Sequence, residues 1–178
     1  GDWDLAEIAR YIDWTPFFQT WEMKGVYPKL LDDPAQGVAA RALFADAQAM
    51  LDRIIAENWL APRAVVGFWP ANAVGDDIRL WADDDRRQPL ATFHTLRQQV
   101  PKRDGRPNVA LADFVAPVGV REDYVGGFAV TAGLGSQDKV AEFKEQNDDY
   151  NAILLESLAD RLAEAFAERL HERVRKEI

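Results

Sequence analysis

The last third of the chain contains apolar residues at every fourth position, and this row constrains the fold more than any other feature. Its members are Leu154, Leu158, Leu162, Phe166, Leu170 and Val174. Each step of four residues rotates the side chain about 40° beyond a full helical turn, so the apolar stripe winds around an α-helix. Such a helix has to be covered on more than one side, and the chain offers few obvious partners. We therefore predict that Phe166, Leu170 and Val174 are more exposed than core residues usually are.

Apolar residues at helical spacing predict helices in four parts of the chain. These parts are residues 3–12, 16–25, 35–58 and 137–178, the last with a break near residues 147–149. Asp13 or Thr15 can cap the second helix, and Pro16 suits its first turn. The chain is therefore expected to be helical at both ends.

The middle of the chain is rich in β-branched and aromatic residues separated by turn signals, which predicts strands. The predicted strands are residues 64–69, 78–82, 108–115 and 124–131, and residues 89–99 are predicted to be a helix or a loop. Short turns rather than crossover helices join them, which favours antiparallel pairing. The fold class is therefore predicted to be α+β, with a twisted, mostly antiparallel sheet, flanking helices and a long C-terminal helix.

Composition excludes several classes of function. The 178 residues carry a net charge of −9, which argues against a general nucleic-acid binder and suits a cationic ligand or a basic partner. No stretch approaches the ~20 apolar residues of a membrane helix, and no signal peptide is visible at the N-terminus. Cysteine is absent, which excludes thiolate metal sites and cysteine nucleophiles. A cytoplasmic location is the simplest interpretation.

The residues alone indicate no catalytic or metal-binding site. His94 and His171 are the only histidines, and neither has a second ligand at metal-site spacing. The GLG at residues 133–135 carries two glycines of a dinucleotide loop without the third, so a turn is favoured. Paired aspartates are interpreted as solvated turns, although those at 76–77 and 148–149 adjoin apolar neighbours. The residues alone therefore predict an acidic α+β domain and no specific function.

A series of long motifs carries a resemblance that goes further. In order, they are IDWTPFF at 12–18, VVGFWPAN at 65–72, GDDI at 75–78, LRQQ at 96–99, LADFVAP at 111–117, DY at 123–124, FAVT at 128–131, DDYN at 148–151 and LADRLAEAFAE at 158–168. Together they resemble the reactivation domain of cobalamin-dependent methionine synthase, the C-terminal module that binds S-adenosylmethionine. The motifs fall in the family's order and extend over nearly the whole chain.

The resemblance implies a function in methionine biosynthesis. The parent methyltransferase moves a methyl group from methyltetrahydrofolate to homocysteine through cobalamin, which is occasionally oxidised to inactive cob(II)alamin. The module then binds S-adenosylmethionine and meets the cobalamin-binding domain of the same enzyme, while flavodoxin or a flavoprotein reductase supplies the electron. Cobalamin and zinc are implied to bind to other modules, so this chain is expected to be part of an enzyme without being catalytic by itself.

The resemblance also implies two ligand-binding residues. Asp13 occupies the acidic position of the DWTPFF motif, and Glu164 the acidic position of LAEAF. A carboxylate can bond the α-ammonium and ribose hydroxyls of S-adenosylmethionine and offset its sulfonium charge. The alternatives are a helix cap for Asp13 and a solvated polar face for Glu164. If both residues belong to the ligand site, they should face one cleft.

One departure from the family pattern qualifies these expectations. The family's RPAPGYP segment, which supplies an arginine and backbone contacts to the ligand, is absent, as is a later tyrosine. Residues 1–178 are therefore interpreted as the N-terminal part of the module, ending at Ile178 inside a predicted helix. The alternative function is a non-enzymatic, stand-alone interaction domain that kept the fold and lost the ligand site.

Overall fold

A computed structural model describes residues 3–102 and 105–177 of the chain. Ile178 lies outside the described residues. The helices are α1 (Leu5–Ala9), α2 (Trp14–Thr20), α3 (Gly37–Ala56), α4 (Ser136–Glu145) and α5 (Asp149–Glu177), with short 3-10 helices at Lys29–Asp32 and Leu111–Phe114. The strands are β1 (Ala61–Val74), β2 (Asp77–Trp81), β3 (Pro89–His94) and β4 (Asp123–Leu134). The chain divides into two compact units, residues 1–64 with 129–178, and residues 65–128.

The first unit is a helical assembly in which α5 contacts α1, α2, α3 and α4. Leu154, Leu158 and Leu162 on α5 are fully buried, together with Leu155 on the adjacent side of the helix. Helix α5 is thus covered on more than one side, as its winding apolar stripe predicts. The predicted break before α5 is confirmed at Asn147, which has a positive φ of 57°.

The prediction that the C-terminal end of this stripe is exposed is wrong for two of its three residues. Phe166 is 0% exposed and Leu170 is 3% exposed, whereas Val174 is partly buried. The N-terminal segment supplies cover that the sequence pattern did not reveal. The Trp3 ring packs edge-on against Phe166 with 4.8 Å between ring centroids.

The strands form one sheet in the order β3-β2-β1-β4, and β2 and β3 lie wholly in the second unit. β1 and β2 pair antiparallel through a tight hairpin, with Val74 opposite Asp77, and β2 and β3 also pair antiparallel. Gly75 at the hairpin has a φ of 62°, which glycine adopts without steric cost. The α+β fold class is therefore confirmed.

Two predictions for the middle of the chain need correction: the helix or loop at residues 89–99 and the strand at residues 108–115. Residues 89–94 form β3, an edge strand that begins with Pro89, a position where a missing N–H is tolerated. Residues 108–115 were predicted as a strand, but they contain the 3-10 helix Leu111–Phe114. The Asp113 carboxylate accepts a hydrogen bond from the Ala110 amide at 2.9 Å and so closes a turn. Arg97 then fixes that carboxylate through two hydrogen bonds of 2.7 and 2.8 Å.

Candidate functional site

Asp13 lies in the turn between α1 and α2, in the first unit. Its backbone is extended, and its Oδ1 accepts a hydrogen bond from the Thr15 amide at 2.9 Å, so Asp13 rather than Thr15 caps α2. The side chain is exposed, and its Oδ2 bonds to no residue within the described ranges. The cap and ligand interpretations are therefore compatible, because one oxygen caps the helix and the other has no hydrogen-bond partner among the described residues.

Aromatic packing fixes the start of α2 beneath this carboxylate. The Trp14 ring packs edge-on against Phe44, with 4.9 Å between ring centroids, and against Phe17 at 5.4 Å. The Thr15 hydroxyl accepts a hydrogen bond from the Tyr27 amide at 3.2 Å. Rigid neighbours of this kind hold a binding group in one position, which a ligand site requires.

Glu164 lies on α5, also in the first unit, and its side chain is 70% exposed. Its Oε1 accepts a hydrogen bond at 3.3 Å from Nη2 of Arg161, whose side chain is only 10% exposed. The same Nη2 donates to Asp160 at 2.7 Å. A buried guanidinium needs such partners, so Glu164 has a structural role that the helical wheel did not predict. Its Oε2 makes no hydrogen bond to a described residue.

The contacts around α5 show how the Asp13 turn and Glu164 are arranged. Just before the turn, the Tyr11 hydroxyl donates a hydrogen bond to Glu172. At the end of α2, the Trp21 ring packs edge-on against Tyr150 with 5.5 Å between centroids. The turn therefore lies along a stretch of α5 about 33 Å long that includes Glu164. No hydrogen bond links the two proposed ligand carboxylates among the described residues, and their meeting in one cleft stays a prediction.

Sequence reasoning missed a charged groove at the C-terminal end of α5. The groove has a volume of about 280 Å³ and is lined by Tyr11, Glu168, His171, Glu172, Arg175 and Lys176. The hydrogen bond to Glu172 raises the pKa of Tyr11, and the one from Lys176 lowers the pKa of Glu172. Acids and bases alternate at this helical spacing, which is typical of solvated faces, so the pattern gave no signal for a site.

The structure describes the surroundings of His94 in detail. His94 Nδ1 lies 3.0 Å from Asp77 Oδ2 on neighbouring strands, and both groups are solvent-accessible. Across residues 3–102 and 105–177, no cluster of histidine and acidic side chains could hold a metal ion. No helix within those ranges is long and apolar enough to cross a membrane.

Comparison with known proteins identifies the family. Residues 4–178 match the family described as "Vitamin B12 dependent methionine synthase, activation domain". The chain belongs to this family. The resemblance inferred from the motifs is thus confirmed, since the family is described as an activation domain of methionine synthase.

A solved structure supports the same assignment at the level of the fold. The "Crystal Structure of the MetH Reactivation Domain bound to AdoHcy" superposes on this activation domain with a TM-score of 0.89. The two are 52% identical over 99% of this chain, which covers 55% of that chain. The activation-domain chain described here therefore spans about half the length of the solved relative.

Proposed function

We propose that this chain is the N-terminal part of an S-adenosylmethionine-binding module that supports the reductive remethylation of cob(II)alamin in methionine synthase. The observation that carries the proposal is the solved relative, whose structure contains AdoHcy and which is 52% identical over 99% of this chain. AdoHcy is S-adenosylmethionine without the transferred methyl group. The two molecules share the adenosine group and the amino-acid chain, so a site that binds one offers these contacts to the other.

Asp13 and Glu164 are the residues proposed to contact the ligand. Each has one carboxylate oxygen engaged by the protein, through Thr15 and Arg161, and one oxygen without a described partner. These free oxygens can accept hydrogen bonds from the ligand's α-ammonium or ribose hydroxyls, and such charge-assisted bonds are the stronger kind. The chain's net charge of −9 also favours a cationic sulfonium ligand.

The proposed role of this chain is to bind and orient its ligand rather than to perform chemistry. S-adenosylmethionine supplies the methyl group that restores the active cobalamin. The cap at Asp13 and the Arg161 ion pair hold the carboxylates in place before the ligand arrives, which lowers the cost of binding. The proposed partners are the cobalamin-binding domain of the same enzyme and a flavodoxin or flavoprotein reductase, in the cytoplasm. Cobalamin and zinc are assigned to other modules.

Calorimetric titration with S-adenosylmethionine tests this proposal, using a module extended to the length of the solved relative. Replacement of Asp13 by Asn should weaken binding by about 1.5–3 kcal/mol, or roughly 10- to 150-fold in Kd. Stability should hardly change, because Asn caps helices about as well as Asp. Glu164→Gln should also weaken binding.

Asp4 provides a matched control, because its Oδ1 caps α1 through the Ala6 amide at 2.9 Å in the same geometry. Asp4→Asn should leave the affinity unchanged. Equal affinities for the Asp4 and Asp13 variants would remove Asp13 from the site. If the unsubstituted module binds no S-adenosylmethionine, the proposed function is wrong and the interaction-domain alternative gains support.

A further inference from the structure

The second unit contains a buried hydrogen-bond network centred on Asn72 of β1. Asn72 is 2% exposed, and its side-chain amide donates to the Ala116 carbonyl at 3.1 Å and to the Arg121 carbonyl at 3.0 Å. Its Oδ1 accepts from Trp81 Nε1 at 3.1 Å and from Arg86 Nη1 at 3.4 Å. Each polar atom of this asparagine side chain is therefore used within the unit.

Arg86 is held by this network, but only one of its three guanidinium nitrogens has a hydrogen-bond partner. Nη1 also donates to the Asp123 carbonyl at 3.1 Å, and the guanidinium lies 5.1 Å from the centre of the Tyr124 ring. Nε and Nη2 are buried and have no hydrogen-bond partner among the described residues. Arg86 also has a positive φ of 54°, a backbone conformation that is unfavourable for a residue with a side chain. The fold thus holds the arginine in a strained position with one donor edge unused.

A cavity of about 320 Å³ adjoins this arginine. It is lined by Asn72, Trp81, Arg86 and the segment of residues 118–122. Trp81 and the two valines of this segment make much of the wall apolar. Residues 118–122 form one side of the cavity and are exposed, and Gly119 has a φ of 81°. The hydrogen bond from Asn72 to the Arg121 carbonyl anchors the backbone of this side. The Val118 and Val120 side chains are exposed and can rotate to admit a ligand.

The unused edge of Arg86 defines the chemistry of a matching ligand. A guanidinium is always charged, and burying N–H groups without acceptors is costly. Nε and Nη2 point in nearly parallel directions, and this fork matches the two oxygens of a carboxylate. Arg121 also lines the cavity and adds a second positive charge, which favours an anion.

The carboxylates near Arg86 do not accept hydrogen bonds from its Nε and Nη2. The Asp123 carboxylate accepts from the Ala116 amide at 2.8 Å and from the Tyr124 amide at 2.9 Å, and these bonds lower its pKa. The Asp84 carboxylate accepts from the Tyr124 hydroxyl at 2.8 Å. Glu122 lines the cavity but makes no hydrogen bond to a described residue.

We propose that this cavity binds a small organic carboxylate, held by Nε and Nη2 of Arg86 and packed against Trp81, Val118 and Val120. The volume is at the lower end of the range for small-molecule sites. The site consists only of residues from the second unit. It is independent of the proposed S-adenosylmethionine site and goes beyond it.

The test is an NMR titration of this chain, labelled with ¹⁵N in arginine, with sodium butyrate as the probe. Binding should shift the Nε–H resonance of Arg86 saturably, and sodium chloride at the same ionic strength should not. Butyramide has the same shape without the charge and should not shift it either. Arg86→Lys keeps the charge but loses the fork, so tryptophan fluorescence should report at least tenfold weaker butyrate binding.

Arg87 is the matched control, since it is the next residue in the same turn and is exposed. Arg87→Lys should leave butyrate affinity within twofold, and Glu122→Gln should increase it by removing a competing anion. The proposal is overturned if chloride or butyramide produces the same shift, or if the Arg86 and Arg87 variants bind butyrate equally. If Arg86→Lys does not fold, the comparison of the three solutes on the unsubstituted chain still decides the question.

Discussion

Replacement of Phe166 by Ala is expected to destabilise the first unit strongly. The ring is 0% exposed and packs edge-on against Trp3 with 4.8 Å between ring centroids. Removal of a buried phenylalanine typically costs about 3–5 kcal/mol through lost transfer energy and the cavity left behind. An edge-to-face pair is worth about 0.5–1.5 kcal/mol beyond its area. We therefore expect the free energy of unfolding to fall by about 4 kcal/mol.

Urea unfolding followed by far-ultraviolet circular dichroism measures this change, because all five labelled α-helices belong to the first unit. Val174→Ala is the matched control. Val174 lies two turns further along the same stripe and is partly buried, so its loss should cost less than about 1.5 kcal/mol. If the Phe166 variant loses no more than the Val174 variant, the N-terminal segment does not cover this part of α5, and the description of the core is wrong.

Two further predictions concern pH. The hydrogen bonds from Arg97 lower the pKa of Asp113 to about 2, from an ordinary 3.8, so the stability that this ion pair contributes should be lost as the pH falls from about 4 to 2. Urea midpoints measured across that range should depend less on pH in Asp113→Asn, and an unchanged dependence would contradict the prediction. Burial and a hydrogen bond to Asp46 raise the pKa of Tyr150 to about 12, from an ordinary 10.0. The unfolded chain releases this proton first, so stability should fall between about pH 10 and 12, and Tyr150→Phe should remove that part of the decline.

Local patterns in the sequence were sufficient to predict the helical elements. Helical periodicity predicted α3 and α5, and the break between α4 and α5 occurs where residues 147–149 indicated it. Pro16 and the polar residues before it predicted the start of α2. These signals act within a few residues, so tertiary packing did not override them.

The wrong predictions depended on long-range contacts. Residues 108–115 have a strand-like composition, but Arg97 stabilises the Asp113 turn from 16 positions away. β3 is an edge strand without an apolar alternation, and only its pairing with β2 defines it. Trp3 covers Phe166 across more than 160 positions, a contact that no periodicity can indicate.

The residues of the candidate site were predicted from the family resemblance rather than from the spacing or chemistry of the residues. Nothing in the spacing of Asp13 and Glu164 distinguishes them from ordinary caps and surface acids. The buried state of Arg161 and the network around Asn72 were also beyond sequence reasoning, because each depends on partners that only the folded chain brings together. The family motifs DWTPFF and LAEAF indicated Asp13 and Glu164, because members of one family share a fold.

The most direct test of the central claim is a crystal structure of the module, at the length of the solved relative, with S-adenosylmethionine bound. The claim predicts that the free carboxylate oxygens of Asp13 and Glu164 both lie about 2.7–3.2 Å from nitrogen or hydroxyl groups of the ligand. Thr15 and Arg161 should keep their present hydrogen bonds to the other oxygens. A ligand bound elsewhere, with both carboxylates in contact with solvent alone, would contradict the claim.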